Sequence, residues 1–250
     1  ASGSFIIPYA PGSYGIISEF TSASANVLNS TNTKTAALSV SQENADVNYT
    51  GSSYFSTSGT TSVNATISLG ATIKDITAIN AITDPNAGNI TNAKVTFYKD
   101  NVNGTVLAAN VPVALLSSSD PKIGTAAINV PFTLSSSQFG DGGTTFLVYA
   151  VVTNYYTGNN VTIPGSVTVS VPGGDFVNGG GYLNNINSTG TYAGTAGSKT
   201  NFGFTMKWTK SGTNLKGQSN IIIRNNNKTY QIKSNAVNSL SSGSTTATGT

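Results

Sequence analysis

Residues 166–172 read SVTVSVP, so Val167, Val169 and Val171 face one way and Ser166, Thr168 and Ser170 face the other. Successive strand side chains point to opposite faces, so this period of two fits a strand. The same alternation marks AALSVSQ (36–42), SVNATISLGATIKDITA (62–78), KVTFY (94–98), AAINVPFTL (126–134) and TFLVYAVVTNYY (145–156). No stretch carries a 3.6-residue apolar period. Turn-forming clusters separate the runs: TDPNAGN (83–89), NVNGT (101–105), SSSDPKIG (117–124) and FGDGG (139–143). Short strands at this spacing predict an all-β chain with an Ig-like β-sandwich over residues 36–172.

A second strand-rich block follows a Pro-Gly-Gly joint. In GTYAGTAGSKTNFGFTMKW (190–208), Phe202, Phe204, Met206 and Trp208 share one face. Two more strands are expected around the RNNNK turn at 224–228. The predicted organisation is therefore an extended arm (1–35), the sandwich (36–172), a smaller β module (176–240) and a Ser/Thr/Gly-rich tail (241–250). DFVNGGGYL (175–183) reads as a flexible joint between the two modules, its glycines supplying positive φ and close backbone approach.

The arm contains GSFIIPYAPGSYGIISEF. Pro8 and Pro11 exclude a helix. Yet Phe5, Ile6, Ile7, Tyr9, Tyr14, Ile16, Ile17 and Phe20 are apolar, and burying one such side chain is worth about 1.5–3 kcal/mol. The segment is expected to lie against something. Either it packs on its own domain, or it completes the sheet of a neighbouring copy by strand addition.

Composition narrows the chemistry. Charged residues are 8% of the chain, against about 25% in an average soluble protein. The net charge of +3 comes from 12 Lys+Arg against 9 Asp+Glu, and Arg224 is the only arginine. A nucleic-acid surface is denser in charge and richer in Arg, so no nucleic-acid partner is expected. The chain has no Cys and no His, which excludes disulfides, thiolate chemistry and His-based triads or zinc hydrolases. No apolar run of membrane-spanning length occurs. The chain starts at Ala1 with no charged and apolar leader ahead of it, so no signal peptide is expected in it.

The remaining motifs are weak. A phosphate loop needs a helix after its glycines, and YLNNINSTGTYAG makes a poor one, so the triple glycine predicts no nucleotide cofactor. Glu19 and Glu43 are the only glutamates and sit in different settings, which argues against a glycosidase carboxylate pair. Asp75, Asp84 and Asp141 are weak calcium candidates, because Asp and Asn are also ordinary turn residues. Asn29, Asn48, Asn64, Asn89, Asn103, Asn160, Asn187 and Asn227 head Asn-x-Ser/Thr triplets, about as many as the Asn, Ser and Thr content produces by chance. A Lys–Asn isopeptide bond suits a Cys-free surface domain, but the sequence nominates no pair.

The segments TIKDITA (72–78), DFVNGGGYL (175–183), GSKTNFGF (197–204) and NIIIRNNNKTYQIKSNAVNSL (220–240) resemble, in order, the Ig-like repeat and following small β module of large secreted bacterial and archaeal surface proteins. The resemblance covers about residues 36–240 and implies no catalytic residue. The arm lies outside it and is similar to that of filament subunits joined by donor-strand complementation. The combined expectation is a non-enzymatic extracellular protein that polymerises with copies of itself through residues around Ser4–Phe20, without cofactor, with glycans or other surface proteins as further partners. The alternative is an adhesin or surface-layer repeat of a longer envelope protein.

Overall fold

A computed structural model describes residues 9–31, 36–77, 88–158, 164–172, 176–208, 215–226, 228–242 and 247–250. The N-terminal region holds β1 (Gly12–Ile16), β2 (Glu19–Phe20), β3 (Ser30–Thr31) and β4 (Ala36–Val40). Ten strands follow: β5 (Glu43–Tyr49), β6 (Tyr54–Ser56), β7 (Asn64–Asp75), β8 (Ala93–Lys99), β9 (Thr105–Pro112), β10 (Ala114–Ser117), β11 (Asp120–Thr133), β12 (Gly143–Asn154), β13 (Tyr156–Gly158) and β14 (Gly165–Ser170). Then come β15 (Phe176–Asn184), β16 (Lys199–Trp208), β17 (Leu215–Asn225), β18 (Lys228–Lys233), β19 (Leu240–Ser242) and β20 (Ala247–Gly249). The fold is all-β, as the alternation predicts.

Two five-stranded sheets form the sandwich, ordered β10-β11-β7-β5-β13 and β6-β14-β12-β8-β9. On β7, Ala65, Ile67, Leu69, Ala71 and Ile73 are buried, while Asn64, Thr66 and Ser68 between them are exposed. They meet Val95 and Phe97 of β8, Val148, Ala150 and Val152 of β12, and Val167 and Val169 of β14 in one core. Phe132 of β11 stacks on Phe146 of β12 across the sheets at 4.9 Å between centroids.

The predicted strand 145–156 is two strands. At Asn154 the backbone enters the left-handed region (φ 75°), which Asn tolerates better than most residues. The chain then leaves the second sheet and joins the first as β13, parallel to β5. Tyr156 is thereby buried in the core. The FGDGG turn also begins earlier than predicted: Ser136–Gly140 form a short helix, α1, capped by Ser135 with Gln138 completing a capping box.

The main departure from expectation is a third layer. β15-β16-β17-β18 form an antiparallel sheet that packs on the outer face of β14 and β12. Every residue of β14 is therefore buried, Ser166, Thr168 and Ser170 as fully as Val167 and Val169. The packing face of β16 is Asn201, Gly203 and Thr205, all buried; Phe202, Phe204 and Met206 point away and are only half-buried. Small and hydroxylic residues meet from both sides, so two backbones approach closely. A Cβ on Gly203 would overlap Thr168 Oγ1 and lie 3.2 Å from Thr145 Cγ2.

The triple glycine is a strand, not a joint. Gly179, Gly180 and Gly181 lie inside β15, opposite Phe204, Gly203 and Phe202 of β16. None of the three has φ in the left-handed region, so the expected positive φ is corrected. Their role is space: a Cβ on Gly179 would lie 3.0 Å from the Phe204 ring, and one on Gly181 3.4 Å from the Phe202 ring. The two aromatic rings cover the bare glycine backbone, as cross-strand aromatics do where strand glycines offer no side chain to pack.

Candidate interaction surface and inter-layer cleft

Among the described residues the strands of the N-terminal arm belong to small sheets of their own and not to those of the three layers. β1 pairs antiparallel with β4, from Gly12↔Val40 to Ile16↔Ala36, as a two-stranded ribbon. Among the described residues β2 and β3 pair only with each other. Among the described residues no arm strand joins either sandwich sheet. β4 runs by way of Ser41 and Gln42 into β5, and Gln42 Nε2 donates to Asn154 O at 2.6 Å, anchoring the root of the ribbon.

The apolar arm residues are correspondingly open. Ile17 is 65% exposed, Phe20 52% and Leu28 88%, and Tyr9, Ile16 and Val27 are exposed too. Tyr14 stacks on Tyr9 at 4.8 Å, and its hydroxyl donates to Ala10 O at 2.6 Å, so these two rings satisfy each other locally. Phe5, Ile6 and Ile7 lie outside the described residues. Sequence reasoning missed Val27 and Leu28, because no alternation flanks them.

The other predicted residues are scattered. Asp75 is buried at the end of β7, where its carboxylate accepts from Thr77 N at 2.8 Å and from the Tyr156 hydroxyl at 3.3 Å. Asp141 pairs with Lys216 at 3.1 Å near α1. Asp84 lies outside the described residues, and among those described no three acids gather to hold a metal. Glu19 is exposed on β2, while Glu43 of β5 sits beside Tyr156. Of the triplet asparagines, Asn29, Asn48, Asn64, Asn89, Asn103 and Asn187 are all exposed, and Asn160 and Asn227 lie outside the described residues. Asn89 also caps a single 3-10 turn, accepting from Thr91 N at 3.0 Å. Among the described residues no helix is long and apolar enough to cross a membrane.

A cleft of about 800 Å³ opens where the third layer meets the β5–β6 connection, lined by Asn48–Tyr54, Gly180–Tyr182, Gly197–Lys199, Asn201 and Arg224. Its base is a clamp. The Arg224 guanidinium donates to Lys199 O and the Asn201 side-chain oxygen on β16, and across the layers to Pro164 O at 2.6 Å. Burial lowers the Arg224 pKa to about 10, so it stays charged at neutral pH. The Tyr54 hydroxyl makes a second link, donating to the Asn178 side-chain oxygen at 2.6 Å and lying 2.7 Å from Ser170 Oγ. At the mouth, Lys199 Nζ sits 4.0 Å from the centroid of the Tyr182 ring, a cation–π contact.

No family model matches the chain, and no curated protein matches it.

Proposed function

We propose that this chain is a non-enzymatic structural protein of the cell exterior. It is the subunit of a surface filament in which the N-terminal arm of one copy pairs with a sheet edge of the next. The observation that carries this reading is the N-terminal segment from Tyr9 to Thr31: Tyr9, Ile16, Ile17, Phe20, Val27 and Leu28 are exposed, and none of its strands pairs with either sandwich sheet among the described residues.

Exposed apolar side chains at about 1.5–3 kcal/mol each make an isolated arm costly, and a second copy removes that cost. An extended segment is also suited to strand addition, in which main-chain bonds supply affinity and alternate side chains fill pockets. The sandwich has an edge that suits the arm. Among the described residues β13 covers only Glu43–Ala45 of β5, and Asp46–Tyr49 have no strand beside them opposite β7. An arm on one surface and an acceptor on another make a head-to-tail contact, which yields an open filament unless rotation closes it. The low charge fits close self-association, since little like-charge repulsion opposes it.

The test is deletion of residues 1–20 followed by electron microscopy, with circular dichroism as the folding control. The full chain is expected to form filaments. The shortened chain is expected to keep its β spectrum, stay monomeric and bind a peptide of residues 1–31. Filaments at normal yield from the shortened chain, or none from the full chain at high concentration, would overturn the reading.

A further inference from the structure

The cleft above Arg224 lies apart from the arm itself, although Asn48 and Tyr49 of its wall also belong to the β5 edge proposed as the arm's acceptor, and it carries two unusual features. First, it holds two cations with no acid partner among the described residues, in a chain poor in charge. The ion pairs among the described residues are Lys99–Asp100 and Lys216–Asp141, so neither Lys199 nor Arg224 is in one. Arg224 directs its donors at two carbonyls and an amide, which bear no net charge. Second, the cleft presents an aromatic face: Tyr182 is 54% exposed although it lies at the junction of two layers.

Tyr49 and Tyr54 add further aromatic surface, and the remaining wall is amide, hydroxyl and backbone. Asn48, Ser198 and the glycine backbone of β15 offer donors and acceptors without bulk. The volume of about 800 Å³ falls within the range of about 300–1,000 Å³ usual for small-ligand sites. Aromatic rings, amide and hydroxyl groups, and two cations outside the ion pairs of the described residues suit a ligand with an apolar ring face, many hydroxyls and a negative charge.

We propose that this cleft binds a saccharide bearing a carboxylate, of the uronic acid class. The sugar ring lies against Tyr182. Its carboxylate meets the Lys199 ammonium, with Arg224 behind it as a fixed positive field. Ring hydroxyls bond the Asn48 side-chain oxygen, whose amide nitrogen donates to Asp46 at 3.0 Å, and the outward-facing backbone groups of the edge strand β15. A carboxylate is favoured over a neutral sugar because charge-assisted hydrogen bonds are roughly twice as strong as neutral ones. A phosphate loop is a poorer description, because no helix N-terminus lines the cleft.

The experiment uses the full chain made in a host that adds no N-glycans, so that Asn48 is bare. Di- and trisaccharides of galacturonic, glucuronic and mannuronic acid are titrated and followed by calorimetry and amide NMR, with their methyl esters as neutral counterparts. At least one acid oligosaccharide is expected to bind with Kd below about 10 mM, and its ester roughly tenfold more weakly. Tyr182→Ala and Lys199→Ala are each expected to weaken it roughly tenfold while leaving the urea midpoint unchanged, since both side chains are at the surface. Binding of no acid oligosaccharide below about 10 mM overturns the proposal. So does equal binding of acid and ester, affinity unaffected by both substitutions, or amide shifts centred away from Tyr182 and Lys199.

Discussion

Gly203 of β16 lies directly on Thr168 of β14, and this contact fixes the third layer to the sandwich. A Cβ at 203 would overlap Thr168 Oγ1 and come within 3.3 Å of Ser166 Oγ. The backbone φ at 203 is outside the left-handed region, so space alone requires the glycine. Gly203→Ala is expected to cost about 1–3 kcal/mol in urea unfolding, the usual cost of overpacking. Thr168→Ala removes the overlapping oxygen, and the double variant is expected to lose less than the two single losses combined. Strict additivity would show that the two residues do not meet.

The strand glycines give a contrast of sign. A Cβ on Gly180 would sit 3.0 Å from Ser53 O and 3.3 Å from Phe202 O, both rigid backbone atoms. A Cβ on Gly181 would meet only the far edge of the Phe202 ring at 3.4 Å. Gly181→Ala is expected to be neutral or to stabilise by about 0.4–1 kcal/mol, because the unfolded chain loses freedom. Gly180→Ala is expected to destabilise by about 1 kcal/mol or more. Equal tolerance at both positions, measured by thermal or urea unfolding, would contradict the strand and restore the flexible joint.

Tyr156 ties stability to alkaline pH. Burial first, then the charges of Asp75 and Glu43, raise its phenol well above the ordinary value of about 10. Below about pH 10 both folded and unfolded chains keep the proton. Above it the unfolded chain releases the proton while the folded chain retains it, so stability falls as pH rises. Tyr156→Phe is expected to flatten that decline. At neutral pH it removes a donor to buried Asp75 and is expected to cost about 1–3 kcal/mol. Equilibrium unfolding between pH 7 and 11 measures both effects; an unchanged alkaline slope would count against the buried phenol.

On the proposed filament reading, substitutions in the arm separate assembly from folding. Ile17→Asp and Phe20→Asp change exposed side chains that no sheet of the sandwich uses, so each is expected to shift unfolding by less than about 0.5 kcal/mol. Each is expected to abolish filament growth, because a charge cannot enter an apolar pocket without a partner. Light scattering and microscopy read assembly, and a large loss of stability with either variant would place the arm within the fold of its own chain.

The amino-acid sequence alone determined that this chain is built of strands. The alternation in β7, β8, β12 and β14 is local, and the pleat enforces it residue by residue. It also marked the arm, since Ile16, Ile17 and Phe20 lie among prolines and glycines that break regular elements. The inter-layer cleft was not legible: Tyr54, Tyr182, Lys199 and Arg224 are far apart in the chain and carry no shared motif. Nor was the fate of each strand face. Val167 and Thr168 differ in polarity yet are equally buried, and β16 turns Asn201, Gly203 and Thr205 inward and Phe202 and Phe204 outward. Alternation shows that a strand has two unlike faces. What covers each face depends on the layer packed against it, and only the tertiary structure decided that the hydroxyls of β14 and the glycines of β15 and β16 would meet, because only there can two sheets without bulky side chains come so close.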